Sequence, residues 1–325
     1  MTKIVITAAG RGTRLLPFTK EMPKEMMPIF SNIPASGRIV LPLLQYVYEQ
    51  LYSMNFRDYC FVVGREKRSI EDHFTPHEMY LRDLKGDYKS VMTKFYHKLE
   101  NSHLVWINQN KPLGFGDAVK HAEKYVGKED FVVHAGDVTI LSKNKHPILR
   151  LIETAKKYPD VKAILLCKKV KDLKRYGVPT INKLSNNLFI VNEVIEKPDK
   201  PKSEFGILPL YYFKSDVFSS LKKIKPGKGK EFQLTDGIQN MIQEKQKVLN
   251  DKKMNALHEV QESLFQNENG VSLDLTRGYR IVSINPMSPS QYLSNSVENF
   301  NMMGFNDWDY NSKYDSLFEP QTMIT

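Results

Sequence analysis

A glycine-rich turn follows the first apolar segment of the chain, and its residue types are suited to holding a phosphate. Ala8–Arg14 reads AAGRGTR, with Gly10 and Gly12 two residues apart. Glycines let the backbone turn tightly and bring its N–H groups close to a phosphate or a base. The fork of Arg14 can hold phosphate oxygens. Alone, the segment is also compatible with a tight β-turn that carries a solvated arginine.

This turn does not match the two familiar nucleotide-binding motifs. It offers glycine only at positions 10 and 12, which fits neither G-x-G-x-x-G nor G-x-x-x-x-G-K-[ST]. A dinucleotide-dependent dehydrogenase and a P-loop NTPase are therefore disfavoured.

A second cation, Lys24, follows ten residues after Arg14 in the segment Met22–Pro28 (MPKEMMP). The prolines stiffen this stretch and limit where Lys24 can point. A lysine held against the glycine turn would add positive charge for a phosphate. Pro-Lys by itself is not a motif, so this prediction depends on the position of the lysine relative to the turn.

Two further polar side chains follow apolar segments that are expected to be strands. Asp137 comes shortly after Asp130–Ala135 (DFVVHA), and Gln109 ends His103–Gln109 (HLVWINQ). Open α/β sheets bind ligands at the carboxyl ends of their strands. The amide of Gln109 offers a donor and an acceptor, which match the edge of uracil. The alternatives are a turn or N-cap aspartate and an ordinary strand-end glutamine.

A carboxylate and an ammonium are neighbours in Glu196-Lys197-Pro198, at the end of another predicted strand. Glu196 could accept hydrogen bonds from sugar hydroxyls while Lys197 meets a sugar phosphate; the alternative is a solvated charge pair. Gly177 would let the chain approach a sugar closely, unless it is a simple turn glycine. Asp117 and His121 share a predicted helix face, which is compatible with a metal, but solvated or capping roles are more usual for this spacing.

Together these residues resemble the signature of the sugar-1-phosphate nucleotidylyltransferases: Gly10-x-Gly12-Thr13-Arg14, eight residues, then Pro23-Lys24. The form Pro23-Lys24-Glu25-Met26 is similar to the prokaryotic UTP–glucose-1-phosphate uridylyltransferases, whereas the thymidylyl branch usually has a proline after that lysine. Six further blocks match in order, within roughly residues 3–300: IEDHF at 70–74, PLGFGDA at 112–118, GD at 136–137, RYGV at 175–178, EKP at 196–198 and EFQLTD at 231–236.

The resemblance implies a Rossmann-like nucleotidyltransferase fold and synthesis of UDP-glucose and pyrophosphate from UTP and glucose 1-phosphate. It implies direct attack on the α-phosphorus, Mg²⁺ bound by Asp137, and a homo-oligomer, either a dimer or a tetramer. The implied catalytic residues are Arg14, Lys24, Asp137 and Lys197. The implied nucleotide-binding residues are Ala8, Ala9, Gly10, Gly12, Thr13, Gln109 and Gly114, and the implied sugar-binding residues are Gly177 and Glu196.

The sequence departs from the family's pattern at one acidic position. Asn285 stands where related enzymes commonly carry a carboxylate, in the stretch Ile284–Pro289 (INPMSP). A neutral amide is a weaker ligand for Mg²⁺ than a carboxylate. Two alternatives therefore stay open: a thymidylyl- or other sugar-1-phosphate nucleotidylyltransferase, and a catalytically silent relative that binds sugar nucleotides.

The elements that must position these residues alternate along the first half of the chain. Apolar strands at Lys3–Ala8, Asp58–Gly64, His103–Gln109, Asp130–Ala135 and Val161–Cys167 are separated by helix-like segments. This rhythm predicts an α/β fold with a mixed, mainly parallel sheet flanked by helices. We expect one domain over residues 1–300, with a nucleotide-binding half (1–170), a sugar-phosphate half (171–300) and a C-terminal tail (301–325).

Composition limits the remaining function classes. The chain has 325 residues and a formal net charge of +10, with scattered lysines, so an anionic metabolite is favoured over nucleic acid. No run is long and apolar enough to span a bilayer, which predicts a soluble cytoplasmic protein without a membrane partner. Cys60 and Cys167 lie in apolar runs and are expected to be buried thiols.

Overall fold

The computed structural model describes residues 2–33, 37–141, 145–185, 187–252, 257–259 and 279–283. The strands are β1 Lys3–Ala8, β2 Pro28–Ile33, β3 Gly37–Pro42, β4 Asp58–Gly64, β5 His103–Gln109, β6 Phe131–Ala135, β7 Val138–Leu141, β8 Ala163–Lys169, β9 Gly177–Ser185, β10 Leu188–Glu196, β11 Phe205–Phe213, β12 Val248–Lys252, β13 Leu257–Glu259 and β14 Tyr279–Ser283. The α-helices are α1 Leu43–Ser53, α2 Arg68–His73, α3 Glu78–Asp83, α4 Gly86–Glu100, α5 Phe115–His121, α6 Glu123–Val126, α7 Pro147–Lys157, α8 Val217–Leu221 and α9 Leu234–Gln243.

Within these described residues, nine strands form one central sheet in the order β5-β4-β1-β6-β11-β8-β12-β10-β9. Strands β5, β4, β1 and β6 pair in parallel, as do β8 and β12. Only β10 and β11 run antiparallel to both of their neighbours. The predicted mixed and mainly parallel sheet is therefore confirmed.

The side chains of the central strands alternate between two apolar cores, one on each face of the sheet. On β1, Ile4 and Ile6 join one core while Val5 joins the other, as the period of two in a strand requires. Helices α1, α4 and α7 cover the first core, and α5, α8 and α9 cover the second. The strands are buried on both faces, which explains why they read as continuous apolar runs in the sequence.

Both cysteines are buried free thiols, as the sequence predicted. Cys60 lies in β4 and Cys167 in β8, each within the core on the second face. Burial raises the pKa of the Cys60 thiol to about 12. Both side chains therefore serve packing rather than chemistry.

The structure differs from the sequence-based expectations mainly where strands are short or polar. The mostly polar segment 250–269 predicts no strand, yet Val248–Lys252 forms β12 inside the sheet, beside β8. Its Asn250 and Asp251 are buried, and the Asp251 carboxylate pairs with the Arg150 guanidinium. A strand with buried polar residues lacks the apolar signal on which such predictions depend.

Other differences concern the periphery of the fold. The hairpin β2–β3, whose strands are antiparallel, precedes α1 and was not predicted. The polar, charged segment 76–99 predicts a helix, but the structure divides it into α3 and α4, and Gly86 has φ +56° at the start of α4. The apolar run 279–284 predicts a strand, which is β14 and pairs with β7. The hairpin partner predicted at 271–275, the final helix predicted at 288–300 and the tail lie outside the described residues.

In the part of the chain that the structure describes, no helix combines the length and the apolar character that crossing a membrane requires.

Candidate active site

A cavity of about 630 Å³ opens at the edge of the sheet where β1, β5 and β6 end. Eleven of the thirteen site residues expected from the sequence line it: Ala9, Gly10, Thr13, Arg14, Lys24, Gln109, Gly114, Asp137, Gly177, Glu196 and Lys197. The other two belong to the same glycine-rich segment. Ala8 is buried at the end of β1, and Gly12 forms the turn itself.

The glycine turn is shaped by Gly12, which adopts φ +65°, a conformation that favours glycine. The Thr19 hydroxyl donates a 2.7 Å hydrogen bond to the Gly12 carbonyl and holds the turn closed. A short 3₁₀ turn, Thr13–Leu15, follows. Its residue Arg14 is exposed and lines the cavity. The Lys24 Nζ lies 3.4 Å from the point where a Cβ on Gly10 would be. The lysine therefore rests against the turn.

Lys24 also contacts Asp137 across 113 residues of sequence, with Nζ 2.5 Å from Oδ2. The sheet makes this contact possible, because β1 and β6 are parallel neighbours and Gly136 donates its N–H to the Thr7 carbonyl. Burial would raise the pKa of the Asp137 carboxyl, but the Lys24 ammonium outweighs burial and holds that pKa below its ordinary value. Burial lowers the pKa of Lys24, yet Asp137 and Glu25 keep it raised. Both groups are therefore charged.

A second ion pair, between Lys67 and Glu25, stabilises the backbone next to Lys24. The Lys67 ammonium donates to the Glu25 carboxylate over 2.9 Å, and both side chains are almost completely buried, at 6% and 1% exposure. Burial raises the pKa of Glu25 even though Lys24 and Lys67 oppose that rise. Because Glu25 follows Lys24 directly in a single 3₁₀ turn, Lys24–Met26, the buried pair fixes the backbone that carries Lys24.

At the end of β5, the side chain of Gln109 is buried and engaged by protein groups. Its Nε2 donates to Asp117 Oδ2 over 2.8 Å and to the Gly114 carbonyl over 3.3 Å. Asp117 is itself only 4% exposed, and Lys120 Nζ lies 3.1 Å from its other oxygen. A solvated role for Asp117, considered from its helical spacing with His121, is therefore wrong.

Gly114 and Gly116 allow the start of α5 to lie directly against the backbone of Phe232. A Cβ on Gly114, where φ is +121°, would lie 2.7 Å from the Phe232 carbonyl oxygen. The Gly116 N–H donates to that carbonyl, and the Phe232 N–H donates to Leu113. The segment around Phe232, which follows the loop 225–230, thus closes one wall of the cavity.

Glu196 and Lys197 form the polar group at the other end of the cavity. Glu196 receives a 3.0 Å hydrogen bond from the Thr235 hydroxyl and lies 3.0 Å from Lys197 Nζ. Lys197 adopts φ +43°, which is strained for a side chain other than glycine. Its N–H donates to the Tyr176 carbonyl, so the turn lies directly beside Gly177. A Cβ on Gly177 would lie 2.5 Å from Thr235 Cγ2, which leaves room only for glycine.

Several cavity residues were not singled out from the sequence. Thr235, Arg175 and Tyr176 lie within sequence blocks that matched the family pattern but received no role, so a signal for them existed. Arg11 and Glu25 also line the cavity. Asn285, the position where a carboxylate was expected, lies outside the described residues.

The cavity is lined by both cations and carboxylates: Arg11, Arg14, Lys24, Arg175 and Lys197, and Glu25, Asp137, Glu196 and Glu231. Among the described residues, no three side chains of histidine, cysteine, aspartate or glutamate cluster in a way that could hold a metal ion. Asp137 lies just beyond the end of β6, in the same cavity lining as Arg14, Lys24, the glycine turn and Glu25. Such a site can bind a polyanion, and a metal ion there would need further oxygen ligands from that polyanion.

A comparison with family models identifies the nucleotidyl transferase family over residues 3–257. The chain is 34% identical over 243 residues to the UTP–glucose-1-phosphate uridylyltransferase YngB of Bacillus subtilis (strain 168), covering 74% of this chain and 78% of that protein. It is also 34% identical over 251 residues to a UTP–glucose-1-phosphate uridylyltransferase of Streptococcus pyogenes, covering 74% and 81%.

Solved structures show the same similarity. A crystal structure of a UDP-glucose pyrophosphorylase complexed with UDP-glucose aligns with a TM-score of 0.67 at 26% identity, covering 78% of this chain and 91% of that one. An apo UDP-glucose pyrophosphorylase aligns with a TM-score of 0.68 at 27% identity, with the same coverage.

Proposed function

The chain belongs to the nucleotidyl transferase family, and from this premise we propose that it makes UDP-glucose and pyrophosphate from UTP and glucose 1-phosphate. The observation that carries the proposal is the convergence of Arg14, Lys24, Lys197 and Asp137 on one cavity. The relatives at 34% identity are uridylyltransferases by name, which supports the choice of nucleotide and sugar.

The reaction we propose is a direct displacement at phosphorus. A phosphate oxygen of glucose 1-phosphate attacks the α-phosphorus of UTP, the new P–O bond forms, and the bond to pyrophosphate breaks. The attacking oxygen is already anionic, so no general base is needed. Catalysis then depends on alignment and on neutralising the charge that the two substrates bring together.

The cations of the cavity divide this task according to their positions. Arg14 and Lys24 flank the glycine turn, where backbone N–H groups and two positive charges suit a triphosphate. Lys197 lies beside Glu196 at the other polar group of the cavity, where its ammonium would meet the sugar phosphate. Glu196 would accept hydrogen bonds from sugar hydroxyls, and Gly177 would leave space for the ring.

The residues present fit a Mg²⁺ ion bound in the manner usual for this metal, through one carboxylate and the phosphates of the substrate. Asp137 would provide that carboxylate, and the lowered pKa of its carboxyl keeps it charged. When bound, the ion would add positive charge at the α-phosphate. Lys24, already at Asp137, would lie within reach of the same phosphate.

We also propose that residues 1–300 form one domain, with the nucleotide bound mainly by residues 1–170 and the sugar phosphate mainly by 171–300, followed by a tail at 301–325. We further propose a cytoplasmic homo-oligomer, a dimer or a tetramer. Light scattering of the full chain, combined with size-exclusion chromatography, measures the oligomeric state.

The experiment that tests the activity is a matrix of pyrophosphate release. UTP and dTTP are each combined with the 1-phosphates of glucose, galactose and N-acetylglucosamine, in the presence of Mg²⁺. The highest rate is expected for UTP with glucose 1-phosphate. Preference for dTTP would favour the thymidylyl alternative. Binding of UDP-glucose by calorimetry without turnover of any pair would contradict an enzymatic role and favour a silent binding protein.

A further inference from the structure

The side-chain amide of Gln109 is held between two groups that can only accept hydrogen bonds. Nε2 donates to Asp117 Oδ2 at 2.8 Å and to the Gly114 carbonyl at 3.3 Å. A carboxylate and a backbone carbonyl offer no proton, so the NH₂ of Gln109, and not its oxygen, must face them. Since both amide hydrogens are used in this way, Oε1 is the atom left for the cavity that Gln109 lines.

Asp117 is in turn held rigidly. It lies in the first turn of α5 with 4% exposure, and its second oxygen, Oδ1, pairs with Lys120 Nζ at 3.1 Å. The Lys120 ammonium also lies 5.4 Å from the centre of the Phe232 ring. The helix start is packed against the backbone of Phe232 through Gly114 and Gly116. The carboxylate therefore has one orientation: Oδ1 pairs with Lys120, and Oδ2 accepts from Gln109 with His121 Nδ1 3.6 Å away.

We propose that Asp117 is a positioning residue for base selection, because it turns the Gln109 amide so that its oxygen, as an acceptor, faces the base of the bound nucleotide. This inference rests on the proposed function, in which Gln109 lies at the base. An acceptor at that point matches the N3–H of uracil or thymine. Cytosine presents an unprotonated N3 there, and two acceptors facing each other leave both unpaired. A buried unpaired polar group is costly, so the arrangement discriminates against cytosine.

The test compares binding of UTP and CTP by isothermal titration calorimetry in the full chain, the wild type against Asp117→Asn. Lys120 can only donate, so it attracts the oxygen of the new amide, whose NH₂ group then faces Gln109. Gln109 responds by turning its own oxygen toward that NH₂ group, giving up the longer 3.3 Å hydrogen bond to the Gly114 carbonyl, and its NH₂ toward the base. We expect the ratio of the two dissociation constants, CTP over UTP, to fall by about tenfold.

Two controls keep the result specific. Glu123→Gln removes a carboxylate six residues further along the chain, at the start of α6, which pairs with Lys222 on the surface, and it should leave the ratio unchanged. In a Gln109→Met background, Asp117→Asn should no longer alter the ratio, because the amide it orients is gone. An equal loss of affinity for UTP and CTP would indicate a merely structural role and would overturn the proposal, as would an unchanged ratio in a folded variant.

A measurement on the wild type covers the case in which the variant does not fold. The side-chain NH₂ of Gln109, assigned in NMR spectra by its absence from Gln109→Met, should exchange slowly with solvent in the free protein. Exchange at the rate of an exposed amide would contradict the fixed orientation. If the wild type bound neither nucleotide, the proposed function would fail instead, and the two failures are therefore distinguishable.

Discussion

Two lysine–carboxylate pairs line the same cavity, and the chain builds them in different ways. Lys24 and Asp137 are 113 residues apart and meet because β1 and β6 are neighbours in the sheet. Glu196 and Lys197 are adjacent in sequence and meet because the backbone at Lys197 turns with a positive φ. The first pair is a product of tertiary structure, and the second is a product of a local turn.

The difference extends to what surrounds each pair. Behind Lys24 lies the buried ion pair of Glu25 with Lys67, whose side chains are nearly inaccessible to water. Beside Glu196, the hydroxyl of Thr235 from the first turn of α9 donates the hydrogen bond that orients the carboxylate. We therefore expect substitutions around Lys24 and Asp137 to cause a large loss of catalysis or stability. Substitutions around Glu196 and Lys197 should have smaller effects that can be measured one at a time.

The largest effect is expected at the pair that the sheet assembles. Asp137→Asn removes the only charge of that side chain, which Lys24 contacts and which would bind Mg²⁺. We expect kcat for pyrophosphate release to fall by about 10³-fold, the scale of losing one preorganised electrostatic group. The matched control is Asp160→Asn, which removes an exposed carboxylate paired with Lys247. Retention of most activity in Asp137→Asn would refute the assignment of the metal ligand.

The next largest effect is expected at the buried ion pair of Glu25 with Lys67, which lies next to Lys24. Lys67→Met leaves the Glu25 carboxylate buried without its partner, and we expect the free energy of unfolding to drop by about 3 kcal/mol at pH 7. Urea denaturation measures this loss. The double variant Lys67→Met/Glu25→Leu should recover most of the stability, because it replaces both charges by apolar groups of similar size. If the single and double variants were equally unstable, the charge of Glu25 would not be the cause.

The loss of unfolding free energy in Lys67→Met should also depend on pH, in a direction that follows from the pKa of Glu25. Burial already raises the pKa of Glu25 above its ordinary 4.5, and removal of Lys67 raises it further. In the interval between 4.5 and that raised value, the folded state binds more protons than the unfolded state. The stability of the variant therefore falls as pH rises through this interval, and the deficit relative to wild type shrinks toward acid.

The two pairs also explain what the sequence could predict. Glu196 and Lys197 are visible as neighbours in the sequence, and the strand predicted to end there is β10, Leu188–Glu196. Lys24 and Asp137 were each candidates, but their contact requires knowing which strands are neighbours, and no local pattern carries that information. The same holds for Gln109 and Asp117, which meet only because the chain folds back between β5 and α5. Strand β12 could not be predicted for a related reason: periodicity detects apolar faces, and the buried Asn250 and Asp251 interrupt that pattern.

A smaller effect should separate the strain at Lys197 from its charge. Lys197→Ala and Lys197→Gly both remove the ammonium, so the two variants should lose kcat/KM for glucose 1-phosphate by the same factor. At φ +43° the alanine retains the strain and glycine does not. We expect the glycine variant to be more stable by about 1 kcal/mol in urea denaturation. Equal stabilities would show that the turn relaxes once the ammonium no longer contacts Glu196.

The smallest effect is expected at the hydroxyl that orients Glu196. Thr235→Val keeps the shape of the side chain and removes the donor that lies 3.0 Å from Glu196 Oε2. The loss of one hydrogen bond of about 1 kcal/mol should raise the KM for glucose 1-phosphate about fivefold. The KM for UTP should stay near the wild-type value, because Thr235 lies beside Gly177 and not at the glycine turn.

Thr235→Ser supplies the matched comparison for that change, because it keeps the hydroxyl and removes the methyl group that faces Gly177. If the hydroxyl is what matters, the serine variant should retain a KM for glucose 1-phosphate close to wild type. A rise in KM for serine but not for valine would instead assign the effect to packing against Gly177. An equal rise in the KM values for UTP and for glucose 1-phosphate in the valine variant would contradict the division of the cavity into two differently built ends.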